Sequence, residues 1–384
     1  MQWNGCVTMK GNTRLRQESI KKVLCEIREK GPISKRALQE ITGFSWGNIS
    51  SVTSLLINAG YIESLGKQET SVGRKPEEVD INTNDNYIIG IDFNSQGTLV
   101  AVCDLKGRII NKYDSQTKNL DKDTALETLY RLIETAINEN KTKNIISISI
   151  AMQGVVDTEK GVSVRNGTIK GWENVNICEL LYNRFNKKVL LFHDPDCILY
   201  AERYFGHLSS IRLENAVLVR VDHGTGIAAM LSSKIYMGTK KATCEIGPSF
   251  VPYKNTARML SDIINYRGIE EAYKKVSNTG LPFKEILNLA LNNDTVAMQV
   301  IKDAAVSFAY ALHNVYNLFN PEKIIIFSSK KQFASLLIQE VVNALKEMGS
   351  SAIKPVMSNL DYSAAAMGAA LFAADNLIDD LKFE

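Results

Sequence analysis

The spacing of apolar residues changes character near residue 80, which marks the boundary between two units of different architecture. Before it, apolar residues recur three and four apart between glycine stops; after it they come in β-rich runs, first YIIGIDF at 87–93 and LVAVCDL at 99–105. Helical and strand periods expose different faces and need different packing partners. The sequence therefore predicts an N-terminal helical unit, residues 1–81, followed by a larger body, residues 82–384. The full length of 384 residues gives each unit enough chain to bury a core.

In the first unit, Ile20, Val23, Leu24 and Ile27 share one helical face, opposite Lys21, Lys22, Arg28 and Glu29. Gly31-Pro32 stops that helix, which spans about 13–30. Ser34 caps a short second helix bearing Ala37, Leu38 and Ile41, and Gly43 ends it in a position suited to left-handed backbone. Ser45 caps a third helix that buries Ile49, Val52 and Leu56 and stops at Gly60. Two helices joined by a tight glycine turn form a helix-turn-helix. Short polar residues opening the second of them are the kind that reach base edges and phosphates in a major groove. Ser45, Trp46, Asn48, Ser50 and Ser51 are thus the candidate DNA contacts. Residues 61–63 and 79–81 then read as a two-stranded wing, with Arg74 and Lys75 near its tip as cations for a minor groove or phosphate backbone.

Charge agrees with this division. Residues 1–76 hold 12 Lys or Arg against 6 Asp or Glu, so the +3 total hides +6 at one end and −3 over the rest. A polyanion would bind the basic end. No apolar run approaches the roughly 18 residues that span a bilayer, and the opening MQWNGCVTMKGNTRLR has no secretory pattern, so the expected location is the cytoplasm. The six cysteines stand singly, without CxxC pairs, which predicts reduced thiols and no cysteine metal site.

The larger body opens with three strands, the third at 108–113. A helix follows at about 124–138 on Leu126, Leu129, Ile133 and Ile137, then a strand at 145–151. A strand at 189–192 leads to a helix near 197–204, and 216–221 with 227–231 open a second meander. The remainder reads as mainly helical with one strand at 323–327. Alternating strands and helices make an α/β fold. Two meander openings predict two lobes, one formed by 82–194 plus the C-terminal helix and the other by 195–358, with a ligand cleft between them.

The segments VGRKP, GIDFNSQGTLVAVCDLKGRII, IAMQGVVDTEKG, KGWENV, HDPDCILYAE, DHGTGIA, CEIG, NLFNPEKIII and SAAAMGAAL, in that order behind the helix-turn-helix, resemble the ROK family of repressors, open reading frames and kinases. The resemblance covers nearly the whole chain. It implies a winged helix-turn-helix fused to a two-lobed actin-like ATPase and sugar-kinase fold. HD before the helix and DHGTG in the second lobe are similar to the repressor branch, typified by repressors that respond to xylose and N-acetylglucosamine.

Within that resemblance the residues separate kinase from repressor. A sugar kinase needs glycines where backbone amides approach the nucleotide phosphates, and a carboxylate to take a proton from the attacking hydroxyl. Where family kinases carry an Asp-x-Gly-Gly-Thr loop, this chain has Asp92-Phe93-Asn94-Ser95-Gln96. After Gly224-Thr225-Gly226 it continues Ile227-Ala228-Ala229, and Ser328-Ser329 replace a later glycine pair. ATP is therefore not expected as a cofactor. Asp194 matches the family's catalytic base, but a carboxylate also holds a sugar hydroxyl without transferring anything. His193 stands where kinases have Asn. Pro248 replaces the family's zinc histidine after Glu245-Ile246-Gly247, no cysteine follows, and a Glu that touches the sugar in relatives is replaced near Ser261, so no metal is expected.

The resemblance places an effector on Asn166, His193, Asp194 and Glu245. Trp172 either stacks on an apolar sugar face or belongs to the core or a hinge. Asp196, where the family has Asn, either contacts the ligand or caps the next helix. The expected protein is a non-enzymatic regulator that binds operator DNA as a homodimer or homotetramer and is modulated by a sugar. The rivals are an ATP-dependent sugar kinase and a repressor controlled by a protein partner.

Overall fold

The computed structural model describes residues 11–377 apart from 67–68, 71–72, 75–76, 116, 210–212 and 239–243, and describes only the backbone of 11–15, 69–70 and 73–74. It opens with helix α1 (Gly11–Lys30), whose Ile20, Val23, Leu24 and Ile27 are fully enclosed. Strand β1 (Ile33–Ser34) leads to α2 (Lys35–Thr42). The Ser34 hydroxyl accepts the Ala37 N–H at 3.1 Å, and Gly43, at φ 72°, sends its own N–H back to the Gln39 carbonyl. A side chain at that φ would be strained, which is why glycine ends this helix. Helix α3 (Trp46–Asn58) is capped by Ser45 and buries Ile49, Val52, Thr53 and Leu56.

Strands β2 (Ile62–Ser64), β3 (Glu69–Thr70), β4 (Gly73–Arg74) and β5 (Glu78–Ile81) form the wing. The expected two-stranded wing has three strands at its base, ordered β1-β5-β2, because Ile33 and Ser34 pair with Val79 and Glu78. Ser34 thus ends a strand and caps a helix in one residue.

The first lobe begins with the meander β6 (Asn86–Asn94), β7 (Gly97–Asp104) and β8 (Ile109–Asp114). After α4 (Lys122–Glu139), β9 (Asn144–Met152) joins β6 in parallel. A small sheet of β10 (Val155–Asp157), β11 (Val162–Arg165) and β12 (Glu173–Val175) follows, which the sequence reading had not anticipated. Next come α5 (Ile177–Phe185), β13 (Lys188–His193) and α6 (Asp194–Phe205). The main sheet runs β13-β9-β6-β7-β8.

The second lobe repeats this plan. Strands β14 (Ala216–Val221), β15 (Thr225–Leu231) and β16 (Lys234–Ile235) form its meander. The stretch expected to be helical except for one strand also contains the hairpin β17 (Phe250–Tyr253) and β18 (Thr256–Met259), a correction that follows from Tyr253–Thr256 pairing across a tight turn. Helices α7 (Ser261–Ile264), α8 (Tyr266–Ser277), α9 (Phe283–Leu291) and α10 (Thr295–Phe319) precede β19 (Lys323–Phe327). Helix α11 (Lys331–Glu347), the short β20 (Val356–Met357) and α12 (Ala364–Asn376) complete the chain. The second sheet is ordered β16-β15-β14-β19-β20, the same succession of meander and parallel strands as the first.

Helix α12 is buried on nearly every side and lies between α6 and the first sheet. Small residues make that possible: a Cβ on Gly368 would meet the Cys197 carbonyl at 1.7 Å, so the two helices touch backbone to backbone. The DNA-binding unit is not tethered loosely. Its core residues form one hydrophobic cluster with Ile88, Leu99, Ala101 and Leu105 of the first lobe and with Ala370 and Ala374 of α12. No helix among the described residues is long and apolar enough to cross a membrane.

Candidate functional site

The structure presents two sites. On the first unit, α3 offers an exposed N-terminal face. Ser45 and Ser51 are exposed, Asn48 and Ser50 are half-buried, and Trp46 is 53% exposed although it is a large apolar ring. The Ser45 hydroxyl accepts the Asn48 N–H at 3.3 Å, so its acceptor is engaged as a cap while the helix N-terminus faces outward. Arg16 of α1, which sequence reasoning passed over, reaches the Ser51 hydroxyl at 3.4 Å and brings a guanidinium to the same face. Arg74 has its backbone in β4 and its side chain outside the description; Lys75 lies outside the described residues.

The second site is a cavity of about 680 Å³ between the lobes. Asn166, His193, Asp194 and Glu245 all line it, so the chain brings together four residues that are up to 79 positions apart in sequence. Each sits where a strand or helix ends. Asn166 follows β11, while His193 ends β13 and Asp194 opens α6. Glu245 precedes the hairpin of the second lobe.

Asp194 is buried and ion-paired to Arg220, which projects from β14 and also donates Nε to Asp222 Oδ2 at 2.9 Å. Burial raises the Asp194 pKa and Arg220 opposes that rise. Beside them, burial pushes Asp92 up to about 6, against the pull of Arg220. His193 is held down to about 3 by burial and by Arg220, so it is a neutral ring. Its Nε2 lies 3.7 Å from Asp194 Oδ1 and 4.0 Å from Glu245 Oε1, and its Nδ1 lies 3.9 Å from Asp196 Oδ2. Those separations exceed hydrogen-bond length. Glu245 is raised to about 7 by burial and by the neighbouring Asp194.

Several buried polar atoms here have no partner: Asn166 Nδ2, His193 Nδ1, Thr225 Oγ1 and both carboxylate oxygens of Asp196. Buried polar groups are normally satisfied; Asn166 and Thr225 line the cleft, while His193 Nδ1 and Asp196 face each other behind it at 3.9 Å. Asp196 does not cap α6 through its side chain; it lies behind His193. Trp172 is 1% exposed, donates to the Ser163 hydroxyl at 2.9 Å and packs on Phe93 with ring centroids 4.7 Å apart. It is a core residue, which closes the sugar-stacking alternative for this conformation.

The opposite half of the cleft is lined by charged and polar side chains of the protein. Asp222 Oδ1 accepts from the Tyr266 hydroxyl at 2.8 Å, the Ser328 and Ser329 hydroxyls at 3.0 Å each and the Ser329 N–H at 2.8 Å. One carboxylate oxygen thus gathers three side-chain hydroxyls and one backbone N–H. On the first lobe, Asn94 accepts the Gln96 N–H at 2.9 Å and donates to Asp92 at 3.2 Å, so side chains line the approach there too. Pro248 follows Gly247 where the resemblance places a zinc histidine, and among the described residues no group of three or more His, Cys, Asp or Glu is placed to hold an ion.

Arg220, and Asp222 of the DHGTG segment, line the cleft as charged residues that the sequence reading did not assign to it. The signal was a lone arginine inside the otherwise apolar strand AVLVRV, two residues before an aspartate.

Comparison with known proteins follows the same lines. The ROK family model matches residues 88–376, and a winged helix-turn-helix DNA-binding model matches residues 16–63. The xylose repressor of Bacillus subtilis is 22% identical, over 96% of this chain and 97% of the repressor. A crystal structure of a ROK family transcriptional regulator, a homolog of the Escherichia coli MLC protein, superposes with a TM-score of 0.81 at 23% identity, covering 96% of this chain and 98% of that one. A ROK family glucokinase from Streptomyces griseus, solved with glucose and AMPPNP, superposes with a TM-score of 0.64 at 17% identity, covering 74% of this chain and 98% of the kinase. The fold is a winged helix-turn-helix joined to the two-lobed actin-like sugar-kinase fold.

Proposed function

Because the chain belongs to the ROK family and carries a winged helix-turn-helix, we propose that it is a transcriptional repressor of carbohydrate-utilisation genes whose operator affinity is set by a sugar or sugar derivative bound between the lobes. The observation that carries this reading is the ion pair of Arg220 with Asp194. A general base must be free to accept a proton, and a carboxylate with one oxygen held by a permanent cation is a poor one. The same carboxylate remains a good acceptor for a sugar hydroxyl. The chain is therefore a receptor without kinase activity. It uses neither ATP nor zinc, works in the cytoplasm, and binds DNA as a homodimer or homotetramer that sets one winged helix on each half-site.

Sugar affects DNA binding only to the extent that it prefers one arrangement of the lobes. In this reading the open arrangement holds the operator and the sugar-closed one releases it. The test is selection of genomic DNA fragments by the full-length protein, repeated with D-xylose, N-acetyl-D-glucosamine, D-glucose and their phosphates. Enrichment of a discrete palindrome that one sugar releases supports the reading. Binding that is uniform across sequences and lost with salt, together with ADP formation from ATP and any of these sugars, would replace it with the kinase.

A further inference from the structure

Helix α6 has its two ends in two functional places. Its first turn carries Asp194 into the cleft, and its last turn carries Arg203 and Tyr204 against α1 of the DNA-binding unit. Arg203 donates Nε and Nη2 to Glu29 Oε1 at 2.8 and 2.5 Å, and Nη2 also lies 3.3 Å from the Cys25 sulfur. Its remaining nitrogen, Nη1, donates to the Ser233 carbonyl at 3.0 Å, in the turn between β15 and β16 of the second lobe. One guanidinium therefore touches the DNA-binding unit and the second lobe together.

A second contact runs alongside. Arg28 of α1 is ion-paired to Asp375 at the end of α12, and Asp375 also accepts from the Tyr200 hydroxyl of α6. The Tyr200 ring stacks on Phe372 of α12 at 4.1 Å between centroids. The Arg28 side chain is 2% exposed and the Arg203–Glu29 pair 18% and 20%. Removing one partner from a pair this enclosed costs more than removing one from a surface ion pair, because the other charge is left buried. Helix α6 is 12 residues long, about 18 Å at 1.5 Å per residue, and its close approach to α12 at Gly368 leaves little room to bend.

At the cleft end, a ligand hydroxyl donating to Asp194 Oδ1 shares the charge of the carboxylate whose Oδ2 holds Arg220, and so weakens that pair. Empty and filled clefts thus differ in how tightly the start of α6 is tied to β14. From these contacts we infer that α6 is the link that carries the state of the cleft to the DNA-binding helices, with Arg220–Asp194 as its cleft end and Arg203–Glu29 as its DNA end. This inference rests on the reading of the cleft as the effector site. It supplies a definite element that both sites bias, which a claim of coupling requires.

The link is testable without any sugar or DNA. Backbone hydrogen exchange over residues 25–30 of α1 is measured in the full chain as wild type, Asp194→Asn, Glu29→Gln and the double variant. Loosening the cleft end by Asp194→Asn is expected to speed exchange at 25–30 at least fivefold, a helix length away. In the presence of Glu29→Gln the same change is expected to add nothing further. If Asp194→Asn does not fold, Arg220→Lys is read in its place. Acceleration confined to 194–198 with 25–30 unchanged within twofold, or two effects that simply multiply in the double variant, would overturn the inference. Since neither ligand enters, such a result is distinct from a failure of the fragment selection, which judges the repressor reading.

Discussion

The guanidinium of Arg220 on β14 is ion-paired to the carboxylate of Asp194 at the start of α6, so the residue that a kinase would use as its base is tied across the cleft to the opposite lobe. Removing Arg220 leaves Asp194 buried and unpaired. Arg220→Gln is expected to destabilise the chain by about 3–5 kcal/mol. Arg220 lowers the Asp194 pKa, and without it Asp194 takes up a proton more readily. A raised carboxylate pKa means stability falls as pH rises, so urea unfolding is expected to show a larger loss at pH 8 than at pH 5. Equal losses at the two pH values would show that the pair is not electrostatically important.

Asp92 provides a second pH-dependent check. Its folded pKa is about 6, raised from 3.8 by burial. The folded state then holds a proton that the unfolded state has lost between about pH 4 and pH 6, and stability declines across that window. Asp92→Asn is expected to be more stable than wild type by up to about 3 kcal/mol at pH 8, taking 1.36 kcal/mol per pKa unit, with the advantage gone below pH 4. His193 is depressed and contributes in the opposite sense, so the difference between the two proteins is the quantity to read.

On the DNA-binding unit, stability and affinity should separate. Ser45→Ala removes the cap of α3 and is expected to cost about 1 kcal/mol in thermal or urea unfolding. Trp46, 53% exposed, should behave differently. Trp46→Ala is expected to leave stability within about 0.5 kcal/mol while lowering affinity for the selected DNA fragment about tenfold, measured by fluorescence anisotropy.

Trp172 distinguishes core from ligand site. Trp172→Ala is expected to destabilise by about 3–5 kcal/mol, as for other large aromatic truncations in a core. Trp172→Phe, which keeps most of the packing against Phe93, should leave the affinity for any sugar that releases DNA within twofold. A large loss of sugar affinity with unchanged stability would place the ring on the ligand.

What was legible in the sequence was local. Ser34, Gly43 and Ser45 mark helix boundaries by their own chemistry, and the structure places the caps on those residues. The run KIIIF at 323–327, short and rich in β-branched residues, reads as a strand and is one. The β17–β18 hairpin was missed because its turn carries no Asn-Gly or Asp-Gly signal and Pro252 interrupts a short run. Arg220 was missed for a different reason: its meaning lies in Asp194, 26 residues away. The contact of Arg203 with Glu29 spans 174 residues, and no local pattern encodes a pairing of that range. The four candidate effector residues were assigned by resemblance, and the structure brings them to one cavity.

The central claim is that one ligand opposes the other. Its most direct test is the dissociation constant of the releasing sugar, measured by titration calorimetry on the full-length protein with and without saturating operator fragment. Linkage requires operator DNA to weaken sugar binding by the same factor by which sugar weakens DNA binding. Agreement of the two factors is the expected result; an identical sugar affinity with and without DNA would contradict the account.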